Sequence, residues 1–137
     1  MCIRDRSITE RPDLFAAAVD GVPSSDTVRE ETSANGPPNI PEFGSVATED
    51  GFKGLLEMSS YAHVKAGTKY PAMMVTAGVN DPRVDPWQGA KMAARLQAAT
   101  ASGKPVLLLS LIHISRLMPS ASSPMGPRRP WRSISLP

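Results

Sequence analysis

The chain contains a single cysteine, Cys2, which excludes a disulfide framework and a cysteine-rich zinc site. Aromatic residues make up only 5% of its 137 positions. No run approaches ~18 consecutive apolar residues, which excludes a membrane-spanning helix. A dominant charge is missing as well. Fifteen basic and thirteen acidic residues leave a formal charge of +2, too little to argue for nucleic acid. What the chain does have in excess is proline, fourteen residues, roughly double the ~5% average. Its length fits one small domain or a piece of a larger one.

The totals change meaning when divided along the chain. Residues 1–6 hold two arginines, one aspartate and the cysteine, and residues 109–137 hold four arginines, no acid and five prolines. The stretch 7–108 carries nine basic and twelve acidic residues. The basic excess therefore belongs to the two ends, and the middle is mildly acidic.

Those ends share a nucleotide relation. Met1-Cys2-Ile3-Arg4-Asp5-Arg6 can be encoded by ATG TGT ATA AGA GAC AG plus one base. The reverse complement of that run translates as Leu-Ser-Leu-Ile-His followed by Ile or Met, which is Leu109-Ser110-Leu111-Ile112-His113-Ile114. The word resembles a transposase end used in shotgun libraries. The expectation is an adapter-derived head over 1–6, a native segment over 7–108, and an adapter-derived, out-of-frame tail over 109–137. The alternative is a native basic N-terminus and a native apolar strand ending in His113. On the adapter reading Cys2 and His113 carry no functional weight, and the Ser/Pro/Arg-rich tail builds no core. Arg128, Arg129 and Arg132 beside Trp131 could form a basic patch with a stacking aromatic, the sole basis for a nucleic-acid reading.

Within 7–108, Pro12 ends a helix near Arg11, and Ala16–Val19 reads as a short buried parallel strand before Asp20-Gly21. Asn35–Pro41 is a loop by composition. Thr48 or Asp50 caps a helix over Gly51–Met58, with Phe52, Leu55, Leu56 and Met58 as its apolar stripe. Pro71–Ala77 is a buried strand ending at Gly78, and Val79–Val84 is a loop. Asp85-Pro86-Trp87-Gln88 has the form of a helix start, with the cap at Asp85, proline at the first position and Gln88 three after the cap. That helix should run to about Ala101, with Gly103 as C-cap, and Val106–Leu108 begins another strand. Strand, loop, helix and strand form a βαβ crossover, so the fold class is α/β with a parallel sheet.

Open parallel sheets place reactive groups beyond the carboxyl ends of their strands, where Asn80-Asp81-Pro82-Arg83-Val84 falls. With Asp85 assigned to the cap, Asp81 and Arg83 have no structural duty in the sequence. They form either a plain Asp-Pro turn with a solvated arginine or part of a site.

A family resemblance bears on that choice. Residues 7–19 resemble the segment after the nucleophile helix of prolyl oligopeptidases. Pro41-Glu42-Phe43-Gly44 resembles that family's acidic-aromatic-glycine motif, and Ser59-Ser60-Tyr61-Ala62-His63-Val64-Lys65 its Ser-Pro-x-x-Asn/His-Val element. Lys69-Tyr70-Pro71-Ala72 and Asn80–Trp87 complete the series in family order. The resemblance implies a partial α/β-hydrolase fold and a serine peptidase acting on short peptides through a triad in the order Ser, Asp, His. Asp81 then matches the triad aspartate, Arg83 the arginine that binds a substrate carbonyl, and Val84 a wall of the proline-side pocket. His63 precedes Asp81, against triad order, and reads as structural or exposed. The serine elbow would lie before residue 7 and the histidine after Leu108, so the piece alone is expected to be inactive, and a cut sheet is expected to unfold with weak cooperativity. Gly54 stands where proline-selective members carry a stacking tryptophan, which implies a wider pocket. No metal, cofactor, membrane or nucleic-acid partner is implied, and compartment is left open. Rivals are an esterase or acylaminoacyl peptidase of related fold, and a non-catalytic interaction module.

Overall fold

The computed structural model describes residues 2–111. His113, the tail arginines and Trp131 lie outside the described residues. The elements are α1 (Cys2–Glu10), β1 (Ala17–Gly21), α2 (Ile40–Phe43), α3 (Glu49–Met58), β2 (Ala72–Gly78), α4 (Pro86–Ala99) and β3 (Val106–Leu111), with short 3-10 turns at Pro12–Leu14, Thr27–Thr32 and Pro37–Asn39. The three strands form one parallel sheet in the order β1-β2-β3. The helix α1 crosses the Arg6–Ser7 boundary and β3 crosses Leu108–Leu109.

Strand alternation gives the sheet two different faces. Ala18, Met73 and Val106 stand in register. On their face Met73, Val75, Ala77 and Val106 are buried, and so are Met92, Ala93 and Leu96 of α4. Ile8, Val64 and the fully buried Tyr70 join the same core. The Tyr70 hydroxyl accepts the Lys65 N–H at 2.8 Å, so its polar end is satisfied inside the core. Val19, Met74 and Leu107 form the opposite row. There Val19 is 65% and Leu107 55% exposed, so that face is open among the described residues.

Local signals explain most boundaries. Pro12 opens a 3-10 turn straight after α1. The Thr48 side chain accepts the Gly51 N–H at 3.2 Å and caps α3, with Glu49 and Asp50 in its first turn favouring the positive helix end. Four expectations need correction. The first strand starts one residue later, runs to Gly21, and among the described residues is the edge of the sheet, with most of its positions not buried. The proline-rich stretch after Asn35 is not plain loop, because Pro37 and Pro41 sit in the first turns of helical segments, where a missing N–H is harmless. In α3 only Leu55 is buried, while Phe52 and Leu56 are 41% exposed. Finally, α4 ends at Ala99 with Thr100 as its cap; Gly103, at φ +69°, serves the turn into β3.

The two-faced sheet predicts unequal responses to truncation. Leu96→Ala should cost about 2–5 kcal/mol, the usual range for a cavity in a packed core. Leu107→Ala should cost less than about 1 kcal/mol, because little apolar contact is lost. Urea titration of the chain followed by circular dichroism compares the two apparent midpoints: Leu96→Ala should lower its midpoint clearly more than Leu107→Ala, and equal shifts would contradict the assignment of faces.

Candidate functional site

The carboxyl ends of β1 and β2 open onto a cavity of about 710 Å³. One wall comes from the segment after β1, with Ser24, Thr27 and Glu30; a second comes from Leu55 and Met58 of α3; the third is the loop with Asp81, Arg83 and Val84. The three residues singled out by the sequence are therefore brought together on one cavity.

Their loop is built by a carboxylate. Asp81 Oδ1 accepts the backbone N–H of Arg83 at 2.8 Å and of Val84 at 3.1 Å. The Asp81 N–H donates to the Gly78 carbonyl at 3.3 Å, and a Cβ at Gly78 would meet the Asp81 Cβ at 3.3 Å. Glycine at the end of β2 is what lets the loop fold back so tightly. The Asp81 pKa is lowered below the ordinary carboxylate value, first by the Arg83 N–H, then by the Val84 N–H, with a smaller contribution from the Arg83 charge; burial opposes them. Oδ2 has no hydrogen-bond partner among the described residues, and neither does the exposed Arg83 guanidinium.

Two expectations change here. Asp81 does have a structural duty, because one of its oxygens holds an Asx-type turn. Asp85 occupies the N-cap position of α4, yet its side chain makes no cap hydrogen bond. Gln88 is not a capping partner either. It is 1% exposed and reaches Asp26 and Glu30 on the opposite wall. Nothing in the spacing of Gln88 could reveal this, since its partners lie 58 to 62 positions away.

His63 is not on the cavity. Its Nδ1 lies 2.7 Å from the Ser59 carbonyl and 3.3 Å from Arg6 Nη1, and Nε2 lies 3.9 Å from Glu57. That placement agrees with a structural histidine. Gly54 does not line the cavity, and a Cβ built there meets nothing within 4 Å. The walls also carry Glu31 and Glu42, so carboxylates outnumber the single arginine. Glu31 is held by Ser45 Oγ at 3.0 Å and the Val46 N–H at 2.9 Å. Among the described residues no group of histidine, cysteine or acidic side chains could hold a metal, and no helix is long and apolar enough to cross a membrane.

Residues 6–113 match the sequence pattern of the Prolyl oligopeptidase family. A prolyl endopeptidase of Elizabethkingia miricola is 36% identical over 103 residues, covering 74% of this chain and 15% of the relative. A solved prolyl endopeptidase structure superposes with a TM-score of 0.76 at 34% identity, covering 80% of this chain and 16% of that one. Oligopeptidase B from Leishmania major superposes with a TM-score of 0.76 at 27% identity, over 81% and 16%. The chain thus spans about 15% of the length of the curated relative it matches.

The split carboxylate has a pH signature. A lowered folded pKa makes the Asp81 contribution fully present above the unfolded value near ~3.9 and lost as pH falls through the folded value. A carbon-13 titration of the chain should find the Asp81 carboxyl midpoint below that of a model aspartate. Asp81→Ala should lose stability at neutral pH and little at the acid end of the range. A midpoint at or above the model value contradicts the two N–H bonds.

Proposed function

The chain belongs to the prolyl oligopeptidase family, and from that premise we propose that the protein carrying it is a serine peptidase that hydrolyses short peptides, with Asp81 as its triad aspartate. The chain matches part of the catalytic α/β-hydrolase domain of that family. The observation that carries the reading is the state of Asp81. One oxygen is fixed by two backbone donors at the end of β2, the other has no hydrogen-bond partner among the described residues, and Asp81 lines the cavity.

That arrangement suits the chemistry of acyl transfer. A serine attacks the peptide carbonyl and forms an acyl-enzyme, which water then releases. The serine needs a base, and the base needs its ring held in one tautomer. In this reading Oδ2 of Asp81 accepts a hydrogen bond from an imidazole N–H and stabilises the imidazolium as it forms. The backbone bonds to Oδ1 keep the carboxylate ionised and fix its direction. Arg83, exposed and free of ion pairs among the described residues, is proposed to bind a substrate carbonyl. Val84, half-buried beside it, is proposed as a wall of the pocket. Strict selection of proline is not part of the proposal: the resemblance puts Gly54 where proline-selective members carry a stacking tryptophan, and Gly54 does not line the cavity. The division into a head over 1–6, a peptidase segment over 7–108 and a tail over 109–137 is likewise proposed, and resequencing the locus without library adapters tests it.

The experiment is kinetic. The full-length protein should cleave chromogenic proline peptides, and Asp81→Asn should lower kcat by roughly 10³–10⁴ with a small change in KM, the behaviour of an orienting carboxylate. The present chain should show no turnover, because triad members act as a unit. Full activity in Asp81→Asn contradicts the assignment. Turnover of acyl esters but not of peptides moves the protein to the esterase branch of the same fold.

A further inference from the structure

Gln88 is a buried amide whose demands are all met from one segment. Its Oε1 accepts the Asp26 N–H at 2.8 Å, and its Nε2 donates to Glu30 Oε2 at 3.0 Å and to the Asp26 carbonyl at 3.4 Å. Turning the amide over would set its carbonyl against two acceptors, so only this orientation satisfies the group. The Gln88 main-chain carbonyl accepts the Ser25 hydroxyl at 3.1 Å. Glu30 Oε2 also accepts from Ser24. With Gln88 only 1% exposed, water cannot replace these bonds when they are lost.

The helix that presents Gln88 is itself fixed against the Asp81 strand. A Cβ on the next residue, Gly89, would meet Ala77 Cβ and Val75 Cγ1, both at 3.3 Å. The first turn of α4 thus lies directly on β2, whose end carries the Asp81 loop. The opposite cavity wall, with Thr27 and Glu30, is a 3-10 turn over Thr27–Thr32. Thr27 Oγ1 donates to the Leu55 carbonyl at 2.5 Å and ties that wall to α3, while Gln88 ties Asp26 and Glu30 to α4 and so to the strand that carries Asp81.

We propose that Gln88 is a positioning residue for the cavity, setting the separation between the Glu30 wall and the Asp81 loop and thereby the fit of substrate. The assignment rests on the peptidase reading for its substrate, but not for its geometry. Gln88 touches no reacting atom and acts through Asp26 and Glu30. Exchanging the two side-chain types tests it. Gln88→Glu puts an oxygen where Nε2 donates, facing the Glu30 carboxylate and the Asp26 carbonyl. Adding Glu30→Gln restores a donor opposite an acceptor.

In the full-length protein, Q88E should raise KM for a peptide substrate roughly tenfold while kcat stays within about twofold, and the E30Q/Q88E pair should return KM to within about threefold of wild type. An unchanged KM in Q88E, or a pair no better than Q88E alone, overturns the proposal. If Q88E does not fold, the pair decides by itself: a folded, substrate-binding pair supports the coupling, and a pair that also fails to fold overturns it. A wild-type protein that cleaves no peptide removes the peptidase reading alone. Amide exchange at Asp26 then carries the test: protection lost in Q88E and regained in the pair supports positioning, and protection unaltered by Q88E overturns it.

Discussion

The proposed site depends on one carboxylate with two tasks, closing a turn and, in the proposed reading, orienting an imidazole. Asp81 Oδ1 closes the turn after β2 by accepting two backbone N–H groups. That bond pattern stabilises the anion and aims Oδ2 without using it. A carboxylate held only by solvent would rotate, and one bonded through both oxygens could hold nothing else. The intermediate state is what the proposed orienting role requires, and the loop obtains it from backbone donors alone.

The surrounding fold supplies the rigidity. A parallel sheet ends its strands on one side, and a helix start packed against that side anchors the loop between strand and helix. Here Gly78 lets the loop turn back on itself, and Gly89 lets α4 settle on β2. Across the cavity the wall has little secondary structure to hold it. Buried polar bonds do that instead, from α3 through the Leu55 carbonyl and from α4 through Gln88 and through Lys91, which pairs with Asp26 and stacks over Tyr61 at 4.5 Å. A satisfied polar network of this kind specifies position more sharply than apolar packing does.

Much of this was legible in the sequence where local rules apply. Thr48 as a cap, Pro86 at the start of α4, the run 71–77 as an inner strand and the βαβ class all follow from short-range chemistry. So does the location of Asp81 beyond a strand end. What stayed hidden depends on distant partners. The edge position of β1 requires knowing the strand order, the exposure of Phe52 and Leu56 requires knowing what packs on α3, and Gln88 looks like a capping residue until Asp26 is seen beside it. The structural duty of Asp81 was hidden for the opposite reason: its bonds are local, but Asp85 offered a simpler local explanation of the same loop.

The most direct test of the central claim is a crystal structure of the full-length protein trapped with a covalent peptide inhibitor. The account predicts a histidine imidazole with one N–H within hydrogen-bond distance of Asp81 Oδ2, while Oδ1 keeps its bonds to Arg83 and Val84. An imidazole paired with a different carboxylate, leaving Oδ2 in solvent, would contradict it.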